Sequence, residues 1–231
     1  RWFQSYGDSV PTTIDPDNYA SLVEIFEQSV GKFRDRPAYH NLGKTITFDE
    51  LDRLSRDFAA YLQSSLGLVK GDRFAIMLPN ILQYPVALFG ALRLGLVVVN
   101  INPLFTSREL EEQLSDSSVR AIFVLRNFCA VLSPAIKNTS VEYVITSELG
   151  DLLGFPKSLI VNFVIKYVKK LVPPYRIPGE LFFRQALRIS LFYYKFFFGK
   201  TFIFVNIFFS LTNAKSKAIV ASGPIFLSTL E

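Results

Sequence analysis

The 231-residue sequence contains one cysteine, one histidine, one tryptophan and one methionine. A lone Cys129 excludes an internal disulfide, and with His40 as the single imidazole there is no CxxC, HExxH or related ligand spacing. The chain therefore suits a reducing compartment and is not expected to hold a metal on His and Cys. Its opening, "RWFQSYGDSVPTTIDPDNYASL", lacks the charged-then-apolar pattern of an export signal, so a cytoplasmic location is expected. It also lacks an initiating Met, which suggests that residues ahead of Arg1 are missing. Net charge is +5, from 25 Lys plus Arg against 20 Asp plus Glu, but no Arg-rich run is interleaved with polar residues, so nucleic acid is not an expected partner.

Phosphate-binding glycine loops are missing too. Two GKT tripeptides occur, at Gly43 to Thr45 and at Gly199 to Thr201, but a Walker A loop needs a further glycine five positions earlier, and those positions hold Ala38 and Tyr194. The first GKT reads as a turn between two short strands. His40 lies in a β-like run with no evident partner and reads as structural. Cys129 opens a helical stretch and reads as a small buried hydrophobe. The carboxylates of "RELEEQLSD" fall on a helix exterior, where they serve solubility and helix-end electrostatics.

What the sequence does have, from Ser21 to Thr146, is a regular alternation of helix and strand signals. Ser21 with Glu24, Thr47 with Glu50, Asn80 with Gln83 and Thr106 with Glu109 are each spaced as a helix N-cap and the residue that reaches back to it. The helix after Thr47 places Leu51, Leu54, Phe58 and Leu62 on one stripe, leaves Asp52, Arg53, Arg56 and Gln63 mostly outside it, and meets a stop at Gly67. Between the helices lie "DRFAIML" (72–78), "LVVVN" (96–100), "AIFVL" (121–125) and "EYVIT" (142–146). Runs that apolar, spaced by helices, predict a sheet covered on both faces. The expected fold is α/β, an open and mostly parallel sheet with helices on both faces. Further on, the periodicity predicts one helix over Lys157 to Leu171, stopped by Pro173 and Pro174. It carries Lys166, Lys169 and Lys170 opposite Val161, Val164 and Val168. Such a basic amphipathic helix is either solvated or a peripheral membrane contact through residues 157–171.

The order of these segments resembles the N-terminal region of the long-chain fatty acyl-CoA ligases of the adenylate-forming superfamily. "ITFDEL" (Ile46 to Leu51) resembles the first core motif and "ALRLGLVVVNINPLFTSREL" (Ala91 to Leu110) the second. Similarity continues through "LIVNFVIKYVKKLVP" to "FRQAL" near Phe183. The resemblance implies a ligase that converts a fatty acid and ATP to an acyl-adenylate and passes the acyl group to coenzyme A, with Mg²⁺ on the phosphates. It implies one cofactor contact in this chain, Arg93 to a coenzyme A phosphate, against the plain reading of a solvated or helix-terminal arginine. At Thr47, Glu50, Asn102 and Pro103 the motif positions read as caps and turns. A homo-oligomer is compatible with the family.

One departure stands out. Past "FRQAL" the family has a Tyr-Thr-Gly-Gly-Thr-Thr-Gly loop that holds the ATP phosphates, whereas here follows "SLFYYKFFFGKTFIFVNIFFSL" (Ser190 to Leu211). The aromatic load of 23 Phe and 10 Tyr is concentrated from about Phe182 onward. As a transmembrane helix the stretch would span about 33 Å, but Lys200 near its middle would cost about 2.5 to 3.5 kcal/mol. As a strand pair it lacks a turn. As an out-of-frame product of an AT-rich gene it accounts for the composition switch, for its place before the phosphate loop and for the end at Glu231. The expected organisation is an N-terminal extension (1–20), a partial AMP-binding domain (21–188) and a divergent hydrophobic tail (189–231). The expected function is that of a truncated ligase, inactive alone, that binds no ATP, Mg²⁺ or coenzyme A productively. It would be cytoplasmic or peripheral on the inner face of the membrane. The alternative is a non-enzymatic α/β protein anchored in the membrane by its tail.

Overall fold

The computed structural model describes residues 2–7, 10, 11, 13 and 15–188. The tail predicted over 189–231, with its candidate span, lies outside the described residues. Among the described residues no helix is long and apolar enough to cross a membrane.

Helix α1 (Leu22–Phe33) leads into the hairpin β1 (Pro37–Asn41) and β2 (Lys44–Thr47), then α2 (Phe48–Ser64), β3 (Arg73–Met77), α3 (Gln83–Arg93) and β4 (Val97–Asn100). Helix α4 (Ser107–Asp116), β5 (Ala121–Leu125), α5 (Cys129–Ala135) and β6 (Tyr143–Ser147) complete the alternation. Helix α6 (Lys157–Phe163), a π turn (Val164–Val168) and the short β7 (Leu181–Phe182) follow. The five strands β3 to β7 form one sheet in the order β4-β3-β5-β6-β7. Every pairing in that sheet is parallel. The hairpin is a separate antiparallel pair.

Alternate side chains of each strand enter opposite cores, as the two-residue repeat of a strand requires. Phe74, Ile76, Phe123 and Ile145 face a core shared with α2, α3 and Phe183, whereas Ala75, Met77, Ile122, Val124 and Val144 face one shared with α4 and α5. Phe58 of α2 centres the first core, fully buried, with the rings of Phe74, Phe123 and Phe183 at 6.1, 5.5 and 5.4 Å. A sheet buried on both faces explains why its strands read as apolar runs rather than as alternating ones.

Three of the four predicted caps form. Ser21, Thr47 and Thr106 accept from the backbone N–H of Glu24, Glu50 and Glu109, and Thr106 with Glu109 makes a complete capping box. Asn80 does not cap α3, which starts from Leu82 without a side-chain cap. The Gln83 side chain that would reach back is buried and donates instead to Ser147 Oγ (3.2 Å) and to the Glu148 carbonyl (3.0 Å). Gly67 ends α2 as expected, at a φ of +62° that favours glycine. The first GKT forms the β1–β2 turn, with Leu42 and Gly43 both at positive φ.

The helix predicted over Lys157 to Leu171 is shorter and interrupted. Its α-helical part ends at Phe163, the π turn shifts the side-chain register, and Lys170 leaves the helical region at a φ of +52°. Val161 and Val164 are half-buried as expected, but Val168 is exposed.

Candidate functional site at the carboxyl edge of the sheet

In an open parallel sheet the loops at the carboxyl ends of the strands carry ligand chemistry, because there the chain leaves neighbouring strands and opens a crevice. Here Arg126 directly follows β5, Thr146 and Glu148 close β6, and Phe182 ends β7. With Asp151 and Arg184 they line a cleft of about 330 Å³.

Arg126 organises this edge. Its Nε donates to the Tyr175 hydroxyl (2.7 Å) and its Nη1 to Glu148 Oε1 (2.8 Å), while the guanidinium lies over the rings of Tyr175 and Phe182. Tyr175 in turn donates to Glu180 Oε1 (2.7 Å), which also accepts from Thr146 Oγ1 (2.6 Å). Burial opposes the charge on Arg126, yet the bond to Tyr175 and the carboxylates of Glu180 and Glu148 raise its pKa above the ordinary arginine value. Burial, with the bond donated to Glu180, pushes the Tyr175 hydroxyl up as well. Asp151 accepts from Ser147 Oγ and from the Glu148 N–H, both at 2.9 Å, and burial raises its carboxyl. Charge-assisted bonds of this kind are short and directional. They fix the ends of β5, β6 and β7 relative to one another as a rigid rim.

Arg93 sits elsewhere. Its side chain is 2 % exposed and lies between α1, α2 and α3, donating from Nη1 to Glu27 (2.8 Å), from Nη2 to Asp52 and from Nε to Ser55 Oγ (3.3 Å). Its guanidinium also covers the Phe26 ring. Burial and the nearby Arg56 lower its pKa, against which Asp52 and Glu27 act. The guanidinium expected to face a coenzyme A phosphate thus has its donors on three protein groups. Asp52, read as an outward residue of α2, is one of them, with a side chain only 18 % exposed. Asn102 makes the expected turn, accepting from the Leu104 N–H at 3.0 Å. His40 pairs across the hairpin with Thr45 Oγ1 at 2.7 Å. Cys129 is buried, its thiol pushed up to about 12 by burial and by Glu180, so it is no nucleophile at neutral pH.

The described residues do not fit ATP or Mg²⁺. Phosphate needs consecutive backbone N–H groups in a glycine-rich turn, and the glycines at positive φ stand singly, at 43, 67, 71, 95, 154 and 179. Among the described residues no three carboxylate, histidine or cysteine side chains converge on a point that could hold a metal. Arg126, Glu148, Tyr175 and Glu180 escaped the sequence reading, since their partners lie up to 49 positions apart. The one available signal was the place of Arg126 and Glu148 just past two apolar strand runs.

Sheet, crossover helices and carboxyl-edge rim define the first α/β layer of an adenylate-forming enzyme, and the chain belongs to that family: the AMP-binding enzyme family matches residues 26–174. The chain is 54 % identical over 186 residues to the long-chain-fatty-acid–CoA ligase of Escherichia coli O6:H1, a match covering 80 % of this chain and 33 % of that protein. It therefore spans about a third of the length of the curated relatives it matches. Among solved structures, an anthranilate CoA ligase in complex with anthranoyl-AMP superposes with a TM-score of 0.59 at 19 % identity, over 74 % of this chain and 28 % of that one. A long-chain-fatty-acid–CoA ligase from Archaeoglobus fulgidus superposes with a TM-score of 0.51 at 23 % identity, over 61 % and 29 %. These two share the fold.

Proposed function

We propose that residues 21–188 are the N-terminal portion of a fatty acid–CoA ligase, with 1–20 as an extension and 189–231 as a segment of different character. The observation that carries this reading is the 54 % identity over 186 residues to a curated ligase of that specificity. In such a ligase the fatty carboxylate attacks the α-phosphorus of ATP, releasing pyrophosphate and leaving an acyl-adenylate. The thiol of coenzyme A then displaces AMP. Catalysis of this kind depends on positioning and on charge stabilisation of the transferring group. This portion supplies the support: a twice-covered sheet, a rigid carboxyl edge and the Arg93 clamp. A coenzyme A phosphate at Arg93 would have to displace Glu27 or Asp52 from it.

The 231 residues by themselves are inactive in this proposal, because the sequence contains no glycine-rich phosphate loop. The proposed location is the cytoplasm or, peripherally, the inner face of the membrane. Two measurements test the reading. The purified 231-residue chain, given palmitate, ATP, Mg²⁺ and coenzyme A, is expected to release no AMP; coenzyme A-dependent consumption of palmitate would overturn the inactivity. Residues 21–188 grafted in place of the matching segment of the E. coli ligase are expected to retain palmitoyl-CoA formation. A folded but inactive chimera would sink the ligase assignment.

A further inference from the structure

Helix α6 and its π turn are built inside out. The inward side is largely polar: Ser158 is buried, Asn162 accepts from the Gly150 N–H (2.7 Å) and donates to Glu148 Oε2 (2.9 Å), and of the helix's apolar groups Val161 packs on the first core. The outward side chains are apolar: Leu159, Ile160, Phe163, Tyr167, Val168 and Leu171 are each more than half exposed, and Phe155 just ahead is 86 % exposed. A contiguous apolar face of this size on a folded protein marks a contact surface.

The charges around that face say what it contacts. Between Asp151 and Glu180 the sequence contains no acidic residue, but it has Lys157, Lys166, Lys169, Lys170 and Arg176. Among the described residues none of the four lysines is in an ion pair, and Lys166 Nζ instead lies 5.2 Å from the centre of the Tyr167 ring. The centre of a protein–protein contact is depleted in lysine. Lysines interleaved with large exposed apolar groups match the boundary of a bilayer, where the stems lie along the acyl region and the ammonium groups reach the headgroups.

We propose that the outward face of residues 155–171 docks on an anionic phospholipid surface. The apolar side chains would enter the headgroup boundary, with Lys166, Lys169 and Lys170 on lipid phosphates. This deepens the inner-face placement proposed above by naming the surface and the lipid class, and it does not depend on the ligase reading.

The test places a reporter on the face itself, so that adsorption through residues 189–231 does not register. The chain has a single Trp, Trp2, so W2F/F163W carries one indole, at an exposed site. Vesicles of phosphatidylglycerol are expected to shift its emission to the blue and to allow quenching by brominated acyl chains, whereas phosphatidylcholine vesicles leave it unchanged. K166E/K169E/K170E in the same background should weaken the anionic-vesicle response more than about 100-fold, at roughly fivefold for each charge removed and more for each reversed. Circular dichroism of both variants checks that they fold. No shift on anionic vesicles, or an equal shift on neutral ones, overturns the proposal. So does an indole already blue-shifted without lipid: dependence on protein concentration would then assign the face to a second copy, and independence to another part of the chain.

Discussion

Helices α2 and α6 are both amphipathic, and they sit in the same fold in opposite senses. Helix α2 turns Leu51, Leu54, Phe58 and Leu62 inward and holds its place by apolar burial around Phe58. Helix α6 turns Ser158 and Asn162 inward, is held by hydrogen bonds to Gly150 and Glu148, and leaves its large apolar groups in the open. The contrast teaches that a hydrophobic stripe fixes the existence of a contact without fixing the partner. For α2 the partner is the sheet; for α6 it is the proposed lipid surface.

The contrast can be broken from either side. The largest effect is expected on the α2 side: Phe58→Ala removes a ring packed against three others and should cost about 3 to 5 kcal/mol. That is a large fraction of the stability of a domain this size, and chemical denaturation measures it. Arg93→Ala should come next, at about 1 to 3 kcal/mol, because Ser55 Oγ and Asp52 each lose a charged donor in a half-buried setting, although Arg56 still pairs with Asp52 and lies near Glu27. Arg93→Lys should recover only part of that loss, since an ammonium cannot reproduce the guanidinium fork. On the α6 side a smaller and more local effect is expected. A Cβ at Gly150 would stand 2.6 Å from Asn162 Oδ1 and 2.8 Å from the Ser158 carbonyl, so Gly150→Ala forces α6 outward at about 1 to 3 kcal/mol. The readout is faster proteolysis within 157–171 with little change in the main unfolding transition. If Gly150→Ala instead lowered the main transition as much as Phe58→Ala, α6 would belong to the same cooperative unit as α2 and the contrast would fail.

Much of the fold could be read from the chain because its signals are local. The strand at 121–125 and the caps at Ser21, Thr47 and Thr106 each depend on a few neighbouring residues. Asn80 misled because Gln83, three positions on, is drawn to Ser147 and Glu148, which lie far along the chain. The rim around Arg126 was hidden for the same reason, since Tyr175 and Glu180 join it only once β7 is laid beside β6. In α6 the repeat set the lysines opposite Val161, Val164 and Val168, whereas in the structure the lysines are exposed together with Leu159, Ile160, Phe163, Tyr167 and Val168, because periodicity carries no sign saying which face is inside and the π turn shifts the register.

The fit of Gly150 against α6 has a counterpart at the first residue of that helix, where Lys157 Nζ donates to the carbonyl of Leu42 in the β1–β2 turn, 115 positions earlier. The hairpin pairs residues close in the chain, whereas each parallel pairing joins residues far apart in it. The Lys157 bond thus ties a helix late in the chain to a locally formed turn. The helix is thereby tied down by its polar side and by Val161, while its outer apolar face stays clear of the core.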